Sequence, residues 1–192
     1  MKEIETKIVD VDIRKLRANL KKAKARYLGR TFYRRYVFDL HPADVYADYS
    51  KWDYDNFIRL RTNGKKTTMT YKFRKGKGLA NTEEIEVDVS DFAEAHKILS
   101  RMLEGNRPYY QENIVWRWMY KGAEIAILKW PPVPPYIEVE APSEKVVRTA
   151  IKELGIDGKE LGNTNLVEIF ARAGHRGEDQ GDLKFRKERT FK

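Results

Sequence analysis

Apolar and charged residues alternate along much of the chain, and this period of two predicts β-strands. Eight segments carry the pattern: 2–11, 30–40, 56–62, 66–74, 83–89, 109–120, 123–130 and 136–141. Apolar residues at helical spacing predict helices over 14–25, 91–102, 143–154 and 165–173. Asn63-Gly64 predicts a tight turn between the third and fourth strands. The pattern favours an α+β fold, an eight-stranded antiparallel closed β-barrel with helices packed outside.

The charged residues of each predicted strand share one face, because side chains two positions apart point the same way. Same-face sets are Arg59 with Arg61, Lys72 with Arg74, Glu84 with Glu86, and Glu138 with Glu140. A solvent-exposed sheet face also carries charges, but it normally carries positive and negative charges together. Each of these strands carries charges of almost only one sign. The helices need apolar sheet surface to cover. We therefore expect the apolar faces outside and the charges inside the barrel.

A charged interior requires compensation, because like charges packed together are costly in a low dielectric. Hard divalent ions such as Mg²⁺ or Mn²⁺ take carboxylate and phosphate oxygens together. Arginine and lysine bind phosphate oxygens, and arginine often does so through two donors. Acidic and basic strands around one cavity therefore suit a complex of a divalent metal with a polyphosphate.

Composition narrows the choice of partner. The formal net charge of +9, from 38 basic and 29 acidic residues, suits an anionic ligand. The absence of cysteine excludes disulfides, thiol nucleophiles and thiolate metal sites. No run of eighteen apolar residues occurs, so we expect a cytoplasmic protein without membrane contact.

Two short motifs stand out, Glu3-Ile4-Glu5-Thr6-Lys7 at the start of the sequence and Arg59-Leu60-Arg61 in the third predicted strand. They resemble the E-x-E-x-K signature and the R-x-R strand of the CYTH superfamily, the triphosphate tunnel metalloenzymes. Further matches in family order are Lys72, Glu84-Ile85-Glu86, Arg117 and Glu138-Val139-Glu140. The resemblance implies a tunnel-barrel domain over residues 1–173, followed by a basic polar tail over 174–192.

The resemblance also implies roles for individual residues. The metal set, for Mg²⁺ or Mn²⁺, comprises Glu3, Glu5, Glu138 and Glu140, with Glu84 and Glu86 lining the acidic side. The substrate-binding set comprises Lys7, Arg59, Arg61, Lys72, Arg74 and Arg117, of which Lys7 and Arg117 are also the catalytic pair. The implied partner is a triphosphate-bearing small molecule, bound by a monomer or homodimer. Nucleic acid and membrane are not expected as partners.

Two positions depart from the family pattern. Val115 stands where a second base usually precedes the position of Arg117, and Leu128 stands where an aspartate is usual. Glu124 lies four residues before Leu128, on the same face of the predicted strand, and is a candidate replacement for the acid. Three functions stay open: a metal-dependent triphosphatase acting on inorganic triphosphate, thiamine triphosphate or a nucleoside triphosphate; a class IV adenylyl cyclase; and a non-catalytic binder of polyphosphate or nucleotide.

Overall fold

The computed structural model describes residues 4–40, 54–75, 82–106, 108–164, 166–175 and 182–185. These contain four helices: α1 (Ile13–Lys22), α2 (Phe92–Met102), α3 (Glu144–Glu153) and α4 (Leu166–Arg172). They also contain nine strands: β1 (Ile4–Val9), β2 (Arg26–Asp39), β3 (Tyr54–Thr62), β4 (Thr67–Lys75), β5 (Thr82–Val89), β6 (Tyr109–Tyr120), β7 (Ala123–Lys129), β8 (Tyr136–Ala141) and β9 (Lys159–Gly162). None of the helices in the described ranges is long and apolar enough to span a membrane.

The strands form one antiparallel sheet in the order β5–β4–β3–β2–β6–β7–β8–β1–β9. The α+β class is as predicted, but the prediction of an eight-stranded closed barrel is wrong. Closure would require β5 to pair with β1, and both edges of β1 are already taken, by β8 and by β9. The strand order ends at β5 on one side and at β9 on the other, so the nine-stranded sheet of the described residues is open.

The ninth strand is the one element of the sheet that the alternation does not predict. Its residues, Lys-Glu-Leu-Gly, include a single large apolar side chain, so no alternation marks them as a strand. Its pairing with β1 shifts register between Lys7 and Ile8, which a bulge or similar irregularity produces. The other eight strands lie where the alternation predicts them, although β2 begins at Arg26 rather than at residue 30.

The chain divides into two compact units, and the first comprises residues 1–32 and 113–176. Here α3 packs against β1, β7 and β8, and it buries Val147 and Ala150. The apolar positions of β7 and β8 are fully buried, with Ile125, Ile127 and Ile137 at most 1% exposed. The alternating charged positions of these strands consequently lie on the opposite face of the sheet.

The second unit comprises residues 33–112 and 177–192. Helix α2 begins after Asp91, whose side chain accepts from the backbone N–H groups of Ala93 and Glu94. Leu99 of α2 packs in a buried cluster with Phe38 of β2 and Leu60 of β3. The helix thus covers the apolar face of this part of the sheet, as predicted, and leaves the charged positions on the other face.

Candidate functional site

In the first unit, charged residues on neighbouring strands stand in direct register. Glu5 of β1 pairs with Glu140 of β8, and Glu140 pairs with Glu124 of β7. Residues paired in this way place their side chains on the same face, with Cα atoms about 4.5–5.5 Å apart. Three carboxylates therefore form one row across three strands.

A second row lies beside the first. Lys7 of β1 pairs with Glu138 of β8, Glu138 pairs with Ala126 of β7, and Ala126 pairs with Arg117 of β6. This row places one carboxylate between a lysine and an arginine. The register thus brings together five sequence-predicted residues, Glu5, Lys7, Arg117, Glu138 and Glu140, on one face of the first unit.

Lys7 is the charge partner at the centre of this face. Its ammonium group donates a hydrogen bond to Glu5, and its Nζ lies 3.7 Å from Glu138 Oε1. The side chains of Lys7 and Glu138 are 11% and 25% exposed. Burial raises the pKa of Glu138 to about 7, and the charge on Glu5 adds to the rise, whereas Lys7 opposes it. One ammonium group therefore does not fully compensate the two carboxylates.

Arg117 is held by the candidate replacement acid. Its Nε donates to Glu124 Oε1 over 3.0 Å, and the side chains are 26% and 32% exposed. Two residues before Arg117, Val115 pairs with Leu128, and these two side chains are buried. The two positions that depart from the motif resemblance are therefore direct neighbours, and they form an apolar contact.

The fit of this face to a divalent metal rests on its donors and its charge. On this face of β1, β6, β7 and β8 the carboxylates are Glu5, Glu124, Glu138 and Glu140, and the cations are Lys7 and Arg117. Carboxylate oxygens are the ligands that Mg²⁺ and Mn²⁺ take, and the excess of carboxylates suits a cation. The side chains of Glu5 and Glu138 lie against Lys7, and that of Glu124 lies against Arg117. Within the described ranges, no three or more acidic or histidine side chains are gathered as a ready metal site.

The second unit carries the predicted phosphate-binding residues of β3 and β4. Arg59 pairs in register with Thr70 of β4, and Thr70 pairs with Glu86 of β5. Arg59 Nη2 donates to Thr70 Oγ1 over 3.3 Å, and Thr70 Oγ1 donates to Glu86 Oε2 over 2.7 Å. The threonine is fully buried, so this chain of contacts fixes the guanidinium group on the face opposite α2.

The ion pairs between these bases and their acidic partners are long, and the acidic side chains are exposed. Arg59 Nη2 lies 3.6 Å from Glu84 and 3.9 Å from Glu86, and Lys72 Nζ lies 3.6 Å from Glu84. The glutamates are 42% and 39% exposed, whereas Arg59 is only 17% exposed. In this arrangement Glu84 and Glu86 are partners of the bases, and their predicted role towards a metal stays a prediction.

Arg59 has donor capacity that the protein does not use. Its Nε is buried and has no hydrogen-bond partner in the described part of the chain. Burial and the nearby charge of Arg61 lower the pKa of Arg59. A buried donor without an acceptor is costly, so the position suits an anionic ligand.

Arg35 is a further member of this basic group that the sequence did not reveal. It pairs in register with Arg61 and is 8% exposed. Arg34 precedes it directly, so local sequence gives no sign of which arginine shares the face of Arg59 and Arg61. Tyr36 and Phe38 pack on the α2 side of the sheet, and Arg35 lies an odd number of residues before each of them. Its side chain must therefore point to the opposite face, and this alternation is the signal that would have identified it.

Two sequence-predicted residues are not placed. Glu3 lies outside the described residues. Arg74 lies in β4, where its backbone pairs with Thr82 of β5, but its side chain is not among those described. The roles of these two residues stay predictions.

No protein-family profile and no curated protein sequence matches the chain. Solved structures do match. A conserved hypothetical protein from Pyrococcus furiosus has a TM-score of 0.67 at 15% identity, over 87% of this chain and 99% of that one. A Hippeastrum protein named for adenylyl cyclase, with a dominant triphosphatase activity, has a TM-score of 0.58 at 13% identity, over 93% and 98%. A protein from Bacillus halodurans named for adenylate cyclase has a TM-score of 0.55 at 16% identity, over 88% and 99%.

These likenesses define the class of fold. At identities of 13–16% these likenesses support a conclusion about the fold alone. The chain has a CYTH-like fold, which confirms at the level of architecture the resemblance carried by its E-x-E-x-K and R-x-R motifs.

Proposed function

We propose that this protein binds a triphosphate-bearing small molecule together with Mg²⁺ or Mn²⁺ and hydrolyses it. The observation that carries the proposal is the buried guanidinium group of Arg59. Its Nε has no hydrogen-bond partner in the described ranges, and Arg61 lies two residues away on the same face. Adjacent arginines repel each other unless an anion lies between them, and phosphate oxygens match the geometry of guanidinium donors.

The acidic face of the first unit supports the metal component. Glu5, Glu138 and Glu140 would hold the ion, and Glu124 stands in the same row as Glu5 and Glu140. A bound divalent ion would neutralise phosphate charge and polarise a phosphoryl oxygen. Because Lys7 now donates to Glu5, metal binding requires that this lysine release the carboxylate.

The protein's own side chains would act mainly by position and charge. Arg59, Arg61 and Lys72 would bind the phosphate oxygens and fix their orientation. Lys7 and Arg117 would stabilise negative charge that grows on the phosphoryl group as it is transferred. No nucleophilic cysteine exists in the chain, and direct attack by water needs no covalent intermediate on the protein.

The activity described for one structural neighbour agrees with this class of chemistry. The Hippeastrum protein is described as having a dominant triphosphatase activity despite being named for adenylyl cyclase. Hydrolysis is therefore our first proposal, and cyclisation of ATP is the alternative within the same fold.

A second candidate is binding without turnover, and the Val115–Leu128 pair favours it. This buried apolar contact stands where the family resemblance leads one to expect a base and an acid. Loss of a charge-assisted contact costs about 1.5–3 kcal/mol, or roughly tenfold to hundredfold in rate when the contact acts in the transition state.

Product analysis separates these functions. Purified protein is incubated with tripolyphosphate, thiamine triphosphate or ATP, each with Mg²⁺ or Mn²⁺, and phosphate, pyrophosphate and cyclic AMP are measured. We expect phosphate release that Lys7→Met abolishes, while the exposed-lysine control Lys21→Met retains it. Cyclic AMP with pyrophosphate would replace the hydrolase by a cyclase. Ligand binding without any product would establish the non-catalytic binder.

A further inference from the structure

A pocket in the second unit lies on the sheet face opposite Arg59 and Arg61. Its volume is about 440 Å³, which falls in the range of small-molecule sites. Arg34 and Tyr36 of β2 contribute to its lining, and in β2 their positions alternate with that of Arg35. The pocket is therefore separate from the residues of the proposed triphosphate function.

Aromatic rings build one wall of this pocket. The ring of Tyr36 stacks on Phe92 of α2, with centroids 5.6 Å apart, and meets Tyr110 of β6 edge-on at 5.2 Å. The ring of Tyr36 also stacks on His96 of α2, with centroids 3.8 Å apart. These mutual contacts hold the rings in place, so the apolar edges that they present to the pocket are preformed.

Two cations stand over that wall. The guanidinium carbon of Arg34 lies 5.8 Å from the centre of the Phe92 ring, and Lys184 Nζ lies 4.9 Å from the centre of the Tyr110 ring. Lys184 is 60% exposed, and its Nζ lies 3.9 Å from Asp182 Oδ2. Both cations therefore retain donors for an anion at the edge of the aromatic surface.

The acidic side chains of the pocket are occupied by the protein. Glu112 Oε1 accepts from the hydroxyl group of Tyr110 over 2.9 Å, and Glu112 Oε2 accepts from the backbone N–H of Phe185 over 2.9 Å. Asp182 Oδ1 accepts from the backbone N–H of Tyr110 over 2.9 Å. These carboxylates therefore hold in place the aromatic wall and residues 182–185, the C-terminal segment.

The C-terminal segment is built into the site. Leu183 is 3% exposed and forms a parallel bridge with Gln111 of β6. Its N–H donates to the carbonyl of Tyr110 and its carbonyl accepts from the N–H of Glu112, each over 2.8 Å. This pairing fixes the backbone on either side of Lys184 and so sets the lysine over the Tyr110 ring.

We propose that this pocket is a second ligand site, which takes a planar heteroaromatic ring bearing a phosphate group, as in a nucleoside monophosphate. The ring packs on the wall of Tyr36, Phe92 and Tyr110, and the phosphate accepts from Arg34 and Lys184. Neither half suffices alone, because the aromatic wall recognises the ring and the two cations recognise the charge.

Calorimetric titration without divalent metal tests the proposal with three probes: adenosine monophosphate, adenosine and ribose 5-phosphate. We expect one-to-one binding of the monophosphate, with each of the other probes at least tenfold weaker. Arg34→Met and Lys184→Met should each weaken the monophosphate about tenfold, since each removes a charge-assisted contact. The matched controls Arg101→Met and Lys65→Met, at exposed positions of the same unit, should leave the affinity unchanged.

The triphosphate site is separated by its own variant and its own ligand. Monophosphate binding should persist in Arg59→Ala and in the presence of saturating tripolyphosphate. Loss of binding in either condition would place the monophosphate at the proposed triphosphate site and overturn the second site. Absence of binding at millimolar monophosphate, equal binding of all three probes, or indifference to both Arg34→Met and Lys184→Met would also overturn it.

Discussion

Val115 and Leu128 face each other across β6 and β7, and their side chains are 3% and 7% exposed. The motif resemblance leads one to expect a base at the first position and an acid at the second. Two separate departures in the sequence are thus one apolar contact in the structure. The simplest reason for their joint occurrence is that neither charge is stable here without the other.

This explanation makes a prediction for a double-mutant cycle. Leu128→Asp alone buries an unpaired carboxylate and should destabilise the protein by about 3–5 kcal/mol. Adding Val115→Lys supplies the partner, so the double variant should recover at least about 1 kcal/mol relative to Leu128→Asp. Urea unfolding of the four proteins measures the coupling. Strictly additive effects would show that the two positions do not act as a pair.

Glu138 should make stability depend on pH. Its pKa rises from an ordinary 4.5 to about 7 in the folded protein, so folding favours the protonated form. The stabilisation from this proton is lost as the pH rises through about 7. Relative to wild type, Glu138→Gln should gain about 2 kcal/mol between pH 5 and pH 8. Chemical unfolding at both pH values provides the measurement, and an equal difference at the two values would contradict it.

His96 should contribute with the opposite sign. Burial against Tyr36 lowers the pKa of this imidazole, so the folded protein favours the neutral ring. Its stabilising contribution is therefore complete above the ordinary pKa of 6.5 and is lost as the pH falls below it. His96→Phe keeps a ring on Tyr36 but does not titrate. Wild type should lose more stability than this variant between pH 7.5 and pH 5; parallel losses in thermal unfolding would exclude the effect.

Arg59 should dominate the affinity for triphosphate. Arg59→Ala removes a buried guanidinium group with an unused donor, and tripolyphosphate binding should weaken at least tenfold. Arg101→Ala, at an exposed position in the last turn of α2, is the matched control and should bind as wild type does. Calorimetry on the two variants decides the matter. Equal affinities would show that the β3 arginine does not contact the ligand.

The sequence predicted the strands better than it predicted their closure. Alternation identified eight strands because each has one apolar face under a helix or against the core. It could not identify β9, whose four residues carry no such pattern and whose strand character comes from pairing with β1. Nothing in the alternation indicates that β9 occupies the edge of β1 that an eight-stranded barrel needs for closure.

The charged sites show a similar limit. Same-face pairs such as Arg59 with Arg61 follow from alternation within one strand. The register between strands, which sets Glu124 beside Glu140 and Arg35 beside Arg61, depends on tertiary pairing. Local sequence could suggest Glu124 as a replacement acid but could not show that it joins the row of Glu5 and Glu140.

The most direct test of the account is the affinity for tripolyphosphate with and without Mg²⁺, measured for wild type and Glu5→Gln. We predict that Mg²⁺ raises the wild-type affinity at least tenfold, because the carboxylates of β1 and β8 would hold an ion that neutralises phosphate charge. Glu5→Gln should lose most of this increase while keeping its metal-free affinity. Absence of tripolyphosphate binding, or an affinity that Mg²⁺ does not change, would contradict the proposed metal-dependent triphosphate function.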